Sequence, residues 1–231
     1  IYNKETGKVT CLRDHIGKKP FFVGRFKGTI FLTSELKAFD SADWFQEIPL
    51  GVSEVNLETG QVIPKRNFVP IVTDRTLIEI FSDAVKKRIP PKNQSMGVFL
   101  SGGLDSSLVS CEVVKHRSDA IFFILGSTDN SDTLAAQQVI NHLNLNHVRY
   151  IPLPSEDEVP KLIEKVVYFT ESFNPSIISN GLATYLLSKA ARKEGVKVVL
   201  SGEGADELFG GYNRYLPFVD KNLDRSKLPN F

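Results

Sequence analysis

The 231-residue chain is 42% hydrophobic and 24% charged, the balance of a globular protein with room for one large or two small domains. A net charge of +1 supplies no general field for nucleic acid or an anionic membrane surface. Two cysteines, Cys11 and Cys111, are too few for a disulfide scaffold and suit a reducing cytosol, and no apolar run reaches transmembrane length.

Residues 1 to 70 alternate short apolar runs with glycine turns, as β-hairpins do. Residues 8–12, 20–23 and 29–32 read as strands, with Thr6-Gly7, Lys27-Gly28 and Thr59-Gly60 as turns. Ser34 is the predicted cap of a short helix to Phe39. Arg66 to Val72 reads as a linker, with Pro64 and Pro70 as punctuation. Asp74 is the predicted cap of a helix to about Arg88 that carries Leu77, Ile80, Phe81, Ala84, Val85 and Ile89 on one face, ended by Pro90-Pro91. Beyond it, strands near 96–100, 120–125, 147–152 and 196–200 alternate with helices near 105–116, 132–143, 156–173 and 180–194. That order implies an α/β fold, a doubly wound parallel sheet with helices on both faces, preceded by a smaller, mostly β part. The boundary falls near residue 70, giving domains 1–70 and 71–231.

The run Met96-Gly97-Val98-Phe99-Leu100-Ser101-Gly102-Gly103-Leu104-Asp105-Ser106-Ser107 joins a strand, a glycine turn and a helix start. Glycines let backbone N–H groups close around an anion, and a helix N-terminus adds partial positive charge. Asp105 would repel a bare phosphate but suits a Mg²⁺ ion that bridges phosphate oxygens. The P-loop of kinases and GTPases is excluded because its lysine is missing. A plain, well-capped strand-to-helix turn is the other reading. A second apolar strand, Val196-Lys197-Val198-Val199-Leu200, runs into Ser201-Gly202-Glu203-Gly204-Ala205-Asp206-Glu207-Leu208-Phe209-Gly210-Gly211-Tyr212. Three carboxylates in five residues after a buried strand are costly unless they face a cation or do chemistry. In an open parallel sheet both turns lie at carboxyl ends of strands, so they can face one site.

S-G-G-L-D-S-S is similar to the PP-loop of ATP pyrophosphatases in its asparagine synthetase form, and S-G-E-G-A-D-E-L-F-G-G-Y resembles that family's second signature. Arg13-Asp14-His15-Ile16-Gly17-Lys18-Lys19-Pro20-Phe21-Phe22 and Ser34-Glu35-Leu36-Lys37-Ala38 resemble stretches late in class II, Ntn-type glutamine amidotransferase domains. Residues 1–70 are therefore expected to be the C-terminal part of such a domain, and 71–231 a PP-loop domain cut short at its C-terminus. The chain starts and stops in what reads as mid-domain sequence, as a fragment or truncated homologue would. The family's N-terminal cysteine nucleophile precedes this stretch, and Cys11, inside a strand, is no substitute.

The resemblance implies an ATP-dependent amide-forming ligase. A carboxylate such as aspartate attacks the α-phosphate of ATP, pyrophosphate leaves, and ammonia or glutamine-derived nitrogen displaces AMP. It places adenine near Leu100 and Leu125, and puts Ser101, Gly102, Gly103, Asp105, Ser106, Ser201, Gly202 and Glu207 around the nucleotide. Asp105 and Asp206 would hold Mg²⁺, and Glu203 would handle protons on the incoming amine. Leu100 and Leu125 read equally as sheet core, and Asp132 as a helix cap or a nucleotide-site residue. Partners expected are a small carboxylate and ammonia or glutamine, with no nucleic acid and no membrane, in a cytoplasmic protein for which a homodimer is left open.

One departure bears on the acceptor. Where asparagine synthetases carry E-T-Y-D-x-T-T-x-R-A-S, this chain has Glu171-Ser172-Phe173-Asn174-Pro175-Ser176-Ile177-Ile178-Ser179-Asn180-Gly181, so the substrate-binding arginine falls at Ser179. The family's adenylate-stabilising lysine lies beyond the last residue. Two alternatives follow: a related enzyme that amidates another carboxylate or closes a β-lactam, and a nucleotide-binding protein without turnover. A PP-loop enzyme acting on tRNA lacks the basic patch it would need. His15, His116, His142 and His147 show no zinc spacing.

Overall fold

The computed structural model describes residues 1–39, 41–69, 71–129 and 131–213, except for the side chains of 131 and 132. The chain packs as two units, one of residues 1–74 with 163–178 and one of 75–162 with residues from 179 onward. The expected cap Asp132 falls outside the described side chains.

In the first unit, β1 (Tyr2–Asn3), β2 (Lys8–Arg13), β6 (Gly51–Val55) and β7 (Val62–Arg66) form one antiparallel sheet in the order β1-β2-β6-β7. A second sheet has the order β4-β3-β5, built from β3 (Phe22–Phe26), β4 (Thr29–Thr33) and β5 (Trp44–Glu47). Period-two burial gives each strand one inward face. Val9 and Cys11 of β2, Val23 of β3 and Val55 of β6 meet Ile48 in one core. Pro64 lies inside β7, not in a linker. It is tolerated there because β7 is an edge strand, where a missing N–H breaks no central ladder.

The predicted helix at 34–39 is only a 3-10 turn, Leu36–Ala38, and Ser34 does not cap it. Its first N–H groups are satisfied from far along the chain. Leu36 N–H and Lys37 N–H donate to the Glu171 carboxylate at 2.8 and 2.7 Å. Lys37 Nζ also lies 3.6 Å from that carboxylate.

The second unit holds β8 (Met96–Phe99), β9 (Ile121–Leu125), β10 (Val148–Ile151) and β11 (Val198–Leu200) in a parallel sheet of order β10-β9-β8-β11. Alternate strand residues face opposite layers. Val98, Leu100, Phe122 and Ile124 pack with Val85 of α1 (Leu77–Lys86), Val109 and Val113 of α2 (Leu104–Val114), and Ala136 and Ile140 of α3 (Ser131–Leu143). Phe99, Ile121 and Phe123 pack on the other side with Leu187 and Ala191 of α5 (Pro175–Lys193). Helices thus cover both faces, as a doubly wound sheet requires. The remaining helices are α4 (Val159–Thr170) and the short α6 (Ala205–Phe209).

Helix starts differ from the sequence reading at three places, one being α4, which begins at Val159 and not near 156. The cap of α1 is Thr76, not Asp74, in a reciprocal pair. Thr76 Oγ1 accepts from Glu79 N–H at 3.3 Å, and the Glu79 carboxylate accepts from Thr76 N–H at 2.8 Å. Helix α5 begins at Pro175, five residues before the expected start near 180. Asn174 Oδ1 accepts from Ser176 N–H at 2.9 Å, and Pro175 occupies the first position, where no N–H is needed.

One buried cation fixes the entry to β8. Arg117, 3% exposed, donates to Pro90 O and Gln94 O at 3.1 Å each and to both oxygens of Asp119 at 2.7 and 2.8 Å. Among the described residues, no helix is long and apolar enough to cross a membrane.

Burial alone would raise the Glu171 carboxyl. The N–H groups of Lys37 and Leu36 and the Lys37 ammonium outweigh it and hold the group below the usual carboxylate range. A depressed folded value contributes stability above the unfolded value of about 4.3, and that contribution is lost as pH falls through the folded value. Urea unfolding from pH 7 down to pH 3 is expected to show Glu171→Gln less stable than wild type at neutral pH, with the gap closing below about pH 4. A gap of constant size would contradict the assignment.

Candidate functional site

Strand order determines where a site can form. β9 lies on one side of β8 and β11 on the other, so the chain leaving β8 crosses toward β9 and away from β11. In open α/β sheets ligands bind beyond the carboxyl ends of the strands, where such connections part. The register pairs Val98 with Leu200, so the turn 201–204 opens two residues before the turn 101–103 on the neighbouring strand.

The first turn is stitched by its own hydroxyls. Ser101 Oγ lies 2.9 Å from Ser106 Oγ and accepts from Gly103 N–H at 3.3 Å. Ser106 and Ser107 donate to Gly103 O at 3.1 and 2.7 Å. Gly102 has φ +84, and a Cβ there would collide with Ala136 N and lie 2.5 Å from Ala135 C. A side chain is thus barred by both conformation and space. The second turn presses on the first. A Cβ on Gly202 would lie 2.8 Å from Asp105 Cβ and 2.9 Å from Ser106 N. Glycine is what lets one backbone meet the other.

The structure therefore brings Ser101, Gly102, Gly103, Asp105 and Ser106 together with Ser201 and Gly202. Asp105 is half-buried in the first turn of α2, and Ser106 is 7% exposed with its hydroxyl turned into the loop. Leu100 is core, 2% exposed, and its N–H donates to Phe123 O at 3.0 Å. Leu125 closes β9 half-buried, one residue past the core position Ile124. Both leucines thus serve the sheet, and Leu125 keeps surface to offer a ring.

The burial argument for the acidic run does not hold. Glu203 and Glu207 are exposed, and Asp206 is only half-buried. Carboxylates that keep their hydration carry no desolvation cost that a cation must offset. Glu207 accepts from the Tyr212 hydroxyl, a partner the sequence reading did not assign although Tyr212 closes the same signature. Asp206 folds against the Gly210-Gly211 turn, whose N–H groups donate to its backbone oxygen at 2.9 and 3.1 Å.

Mg²⁺ takes one or two carboxylates together with phosphate oxygens and water. Asp105 lies in the first turn of α2 and Asp206 in the first turn of α6, carboxylates of the type that ion takes, and the Asp206 carboxylate rests against Gly211. No group of three or more His, Cys, Asp or Glu side chains suited to a metal occurs among the described residues. A cavity of about 360 Å³ lies beside this crevice, lined by Gly102, Leu104, Leu108, Cys111, Ala135 and Val139 among others. Its apolar walls and lack of any of the carboxylates make it unfit for a triphosphate.

Cys11 is 2% exposed in β2, and burial pushes its thiol up, the opposite of what a nucleophile requires. His116 pairs with Glu112 at 3.4 Å.

The family described as Asparagine synthase matches residues 76–229, and the one described as Glutamine amidotransferase domain matches residues 1–41. A protein named asparagine synthetase [glutamine-hydrolyzing] 3 from Arabidopsis thaliana is 32% identical over 223 residues, covering 87% of this chain and 37% of that protein. Asparagine synthetase B [glutamine-hydrolyzing] from Escherichia coli (strain K12) is 32% identical over 237 residues, covering 92% of this chain and 42% of that protein. This chain thus spans about two fifths of the length of these relatives. Among solved structures, NMN synthetase from Francisella tularensis aligns at TM-score 0.41 with 20% identity over 60% of this chain and 59% of that one.

Gly102→Ala and Gly202→Ala are each expected to cost about 1–3 kcal/mol, from overpacking and, at Gly102, backbone strain. Urea unfolding checks the size. Hydrogen exchange should show amides of both turns losing protection in either variant, and loosening of one turn alone would contradict their mutual support.

Proposed function

This chain belongs to the asparagine synthase family, and we propose that it is the nucleotide-activating part of an ATP-dependent, amide-forming carbon–nitrogen ligase. The observation that carries this reading is the close approach of the Gly202 backbone to Asp105 and Ser106 beyond the ends of β8 and β11. The Gly102 N–H, in a turn left open by the missing side chains at 102 and 103, suits a phosphate oxygen, while the N–H groups of Ser101 and Gly103 donate to the Ser106 and Ser101 hydroxyls. Asp105 and Asp206 would hold Mg²⁺, which neutralises charge on the departing pyrophosphate when bound. Leu125 would pack against the adenine, with Ser201 and Gly202 reading the nucleotide through short polar groups.

The chemistry follows in two displacements. A carboxylate oxygen of the acceptor attacks the α-phosphorus of ATP, the bond to the bridging oxygen breaks, and pyrophosphate leaves. Ammonia, free or released from glutamine, then attacks the acyl carbon and AMP departs. Glu203, exposed at the turn after β11, would accept the proton that the new ammonium sheds. Glu207, bonded to Tyr212, would stand beside the pyrophosphate as a shaping group. Cys11 takes no part.

Asp105→Ala removes a carboxylate that would bind Mg²⁺ directly. Its effect on ATP affinity in Mg²⁺ is expected to be at least the ~10–100-fold that loss of an outer-shell partner costs. Affinity without Mg²⁺ should change little. Calorimetry with and without the ion decides, and equal affinities in all four conditions would refute the site. The protein should release AMP and pyrophosphate, and steady ADP production would refute the reaction.

A non-aspartate acceptor is favoured by the geometry of α5. Ser179 lies in its second turn, whereas Lys189 and Arg192 lie about 15 and about 20 Å further along the axis at about 1.5 Å per residue. Neither can replace a guanidinium at position 179 from this helix. Loss of such a contact is expected to cost ~1.5–3 kcal/mol, about ten- to a hundredfold in aspartate affinity. Pyrophosphate release with a panel of carboxylates tests it, and aspartate proving the best acceptor by a wide margin would overturn it.

A further inference from the structure

The loop that leaves β9 is fastened at two points. β8 and β9 pair with Phe99 opposite Phe123, so Ser101 and Leu125 each lie two residues further along neighbouring strands. At Gly126 the chain turns with φ +115, a conformation that side chains disfavour, and its N–H donates to Ile151 O of β10 at 2.7 Å. One residue on, Ser127 O accepts from the Thr133 hydroxyl at 2.7 Å. Thr133 is 1% exposed, whereas Ser127, Thr128 and Asp129 are exposed.

The reach of the Thr133 bond is informative. A helical threonine that bonds backbone ordinarily turns its hydroxyl to the carbonyl three or four residues back in its own helix. Thr133 reaches six residues back, past the start of α3 at Ser131, and so ties the helix to the loop. Ala135 and Ala136, in the same end of α3, supply the backbone against which Gly102 packs. The first turns of α3 thus hold the turn after β8 by close packing and the loop after β9 by a buried hydroxyl. All of these residues belong to the unit that begins at Arg75.

We propose that Thr133 is a positioning residue for nucleotide binding. Acting through Ser127, it sets the loop beside Leu125, where the base lies, at a defined place relative to the 101–103 turn, where the phosphates lie. The proposal rests on the nucleotide reading given above and adds what aligns the two ends of that ligand. A loop already ordered before binding spares the ligand the cost of ordering it. The base and the phosphates then depend on Thr133 unequally, because only the base faces the loop that the hydroxyl holds.

The test compares wild type, Thr133→Val and Thr133→Ser by calorimetry, with AMP and with magnesium pyrophosphate as separate probes. Valine keeps the shape and removes the hydroxyl. Thr133→Val is expected to bind AMP about three- to tenfold more weakly, with pyrophosphate affinity within about twofold of wild type. Thr133→Ser, which keeps the hydroxyl, should restore AMP affinity to within about twofold. A merely structural role would weaken both probes alike. Hydrogen exchange on wild type gives a second reading that holds even if the valine variant does not fold. AMP should slow exchange at the amides of residues 125–128, and pyrophosphate at those of 102–106. Equal losses for the two probes, a serine variant as weak as the valine one, or AMP protection that omits 125–128 would overturn the proposal while leaving nucleotide binding intact. Wild type that binds neither probe would refute the nucleotide reading, and the proposal with it.

Discussion

The contact between two backbone turns at the ends of β8 and β11 is the constraint on which the second unit depends. The strand order makes these turns neighbours, and parallel pairing with Val98 opposite Leu200 starts them within two residues of each other at the same edge of the sheet. They can touch only because Gly202 offers no Cβ to Asp105 and Ser106. Gly102 does the same against the backbone at Ala135 and Ala136. The result is a floor of peptide groups with carboxylates around it, suited to a ligand that is anionic and brings its own oxygen ligands for a cation. The hydroxyls of Ser101 and Ser106 spend themselves on holding this floor in shape.

The supports of this floor lie outside the motifs. Arg117 gathers the carbonyls of Pro90 and Gln94 and so fixes the chain that enters β8. Removal of a buried cation of this kind leaves several carbonyls unsatisfied at once. In the first unit the comparable fastening is Glu171 on the Leu36–Ala38 turn, where a carboxylate supplies what a local cap does not. A positive φ at a glutamate persists only where surrounding bonds over-determine it, and here they do.

Much of this was legible in the sequence, for identifiable reasons. The parallel strands were readable because each is an apolar run bounded by turns, and strand–helix alternation determines the sheet type. Both glycine turns were readable because their residues are incompatible with regular structure. Strands β5, β6 and β7 were missed: their alternation is diluted by Ser53, Glu54 and Pro64, whose acceptability depends on sheet position. The expected start of α5 near 180 passed over Asn174-Pro175, which supplies a cap and a first helical position. Ser34 and Asp74 satisfied local capping rules, yet Glu171 and Thr76 do the work, since a local rule cannot foresee a donor's distant partner. The acidic run was placed correctly after β11, but its exposure depends on a turn that stands clear of the sheet.

The central claim is that one ligand bridges both turns. Amide chemical shifts followed during titration with ATP and Mg²⁺ test it most directly. Residues 101–106 and 201–203 are predicted to shift together, with one apparent affinity, while amides facing the apolar cavity between α2 and α3 stay in place. Shifts confined to that cavity, or shifts in one turn without the other, would contradict the account.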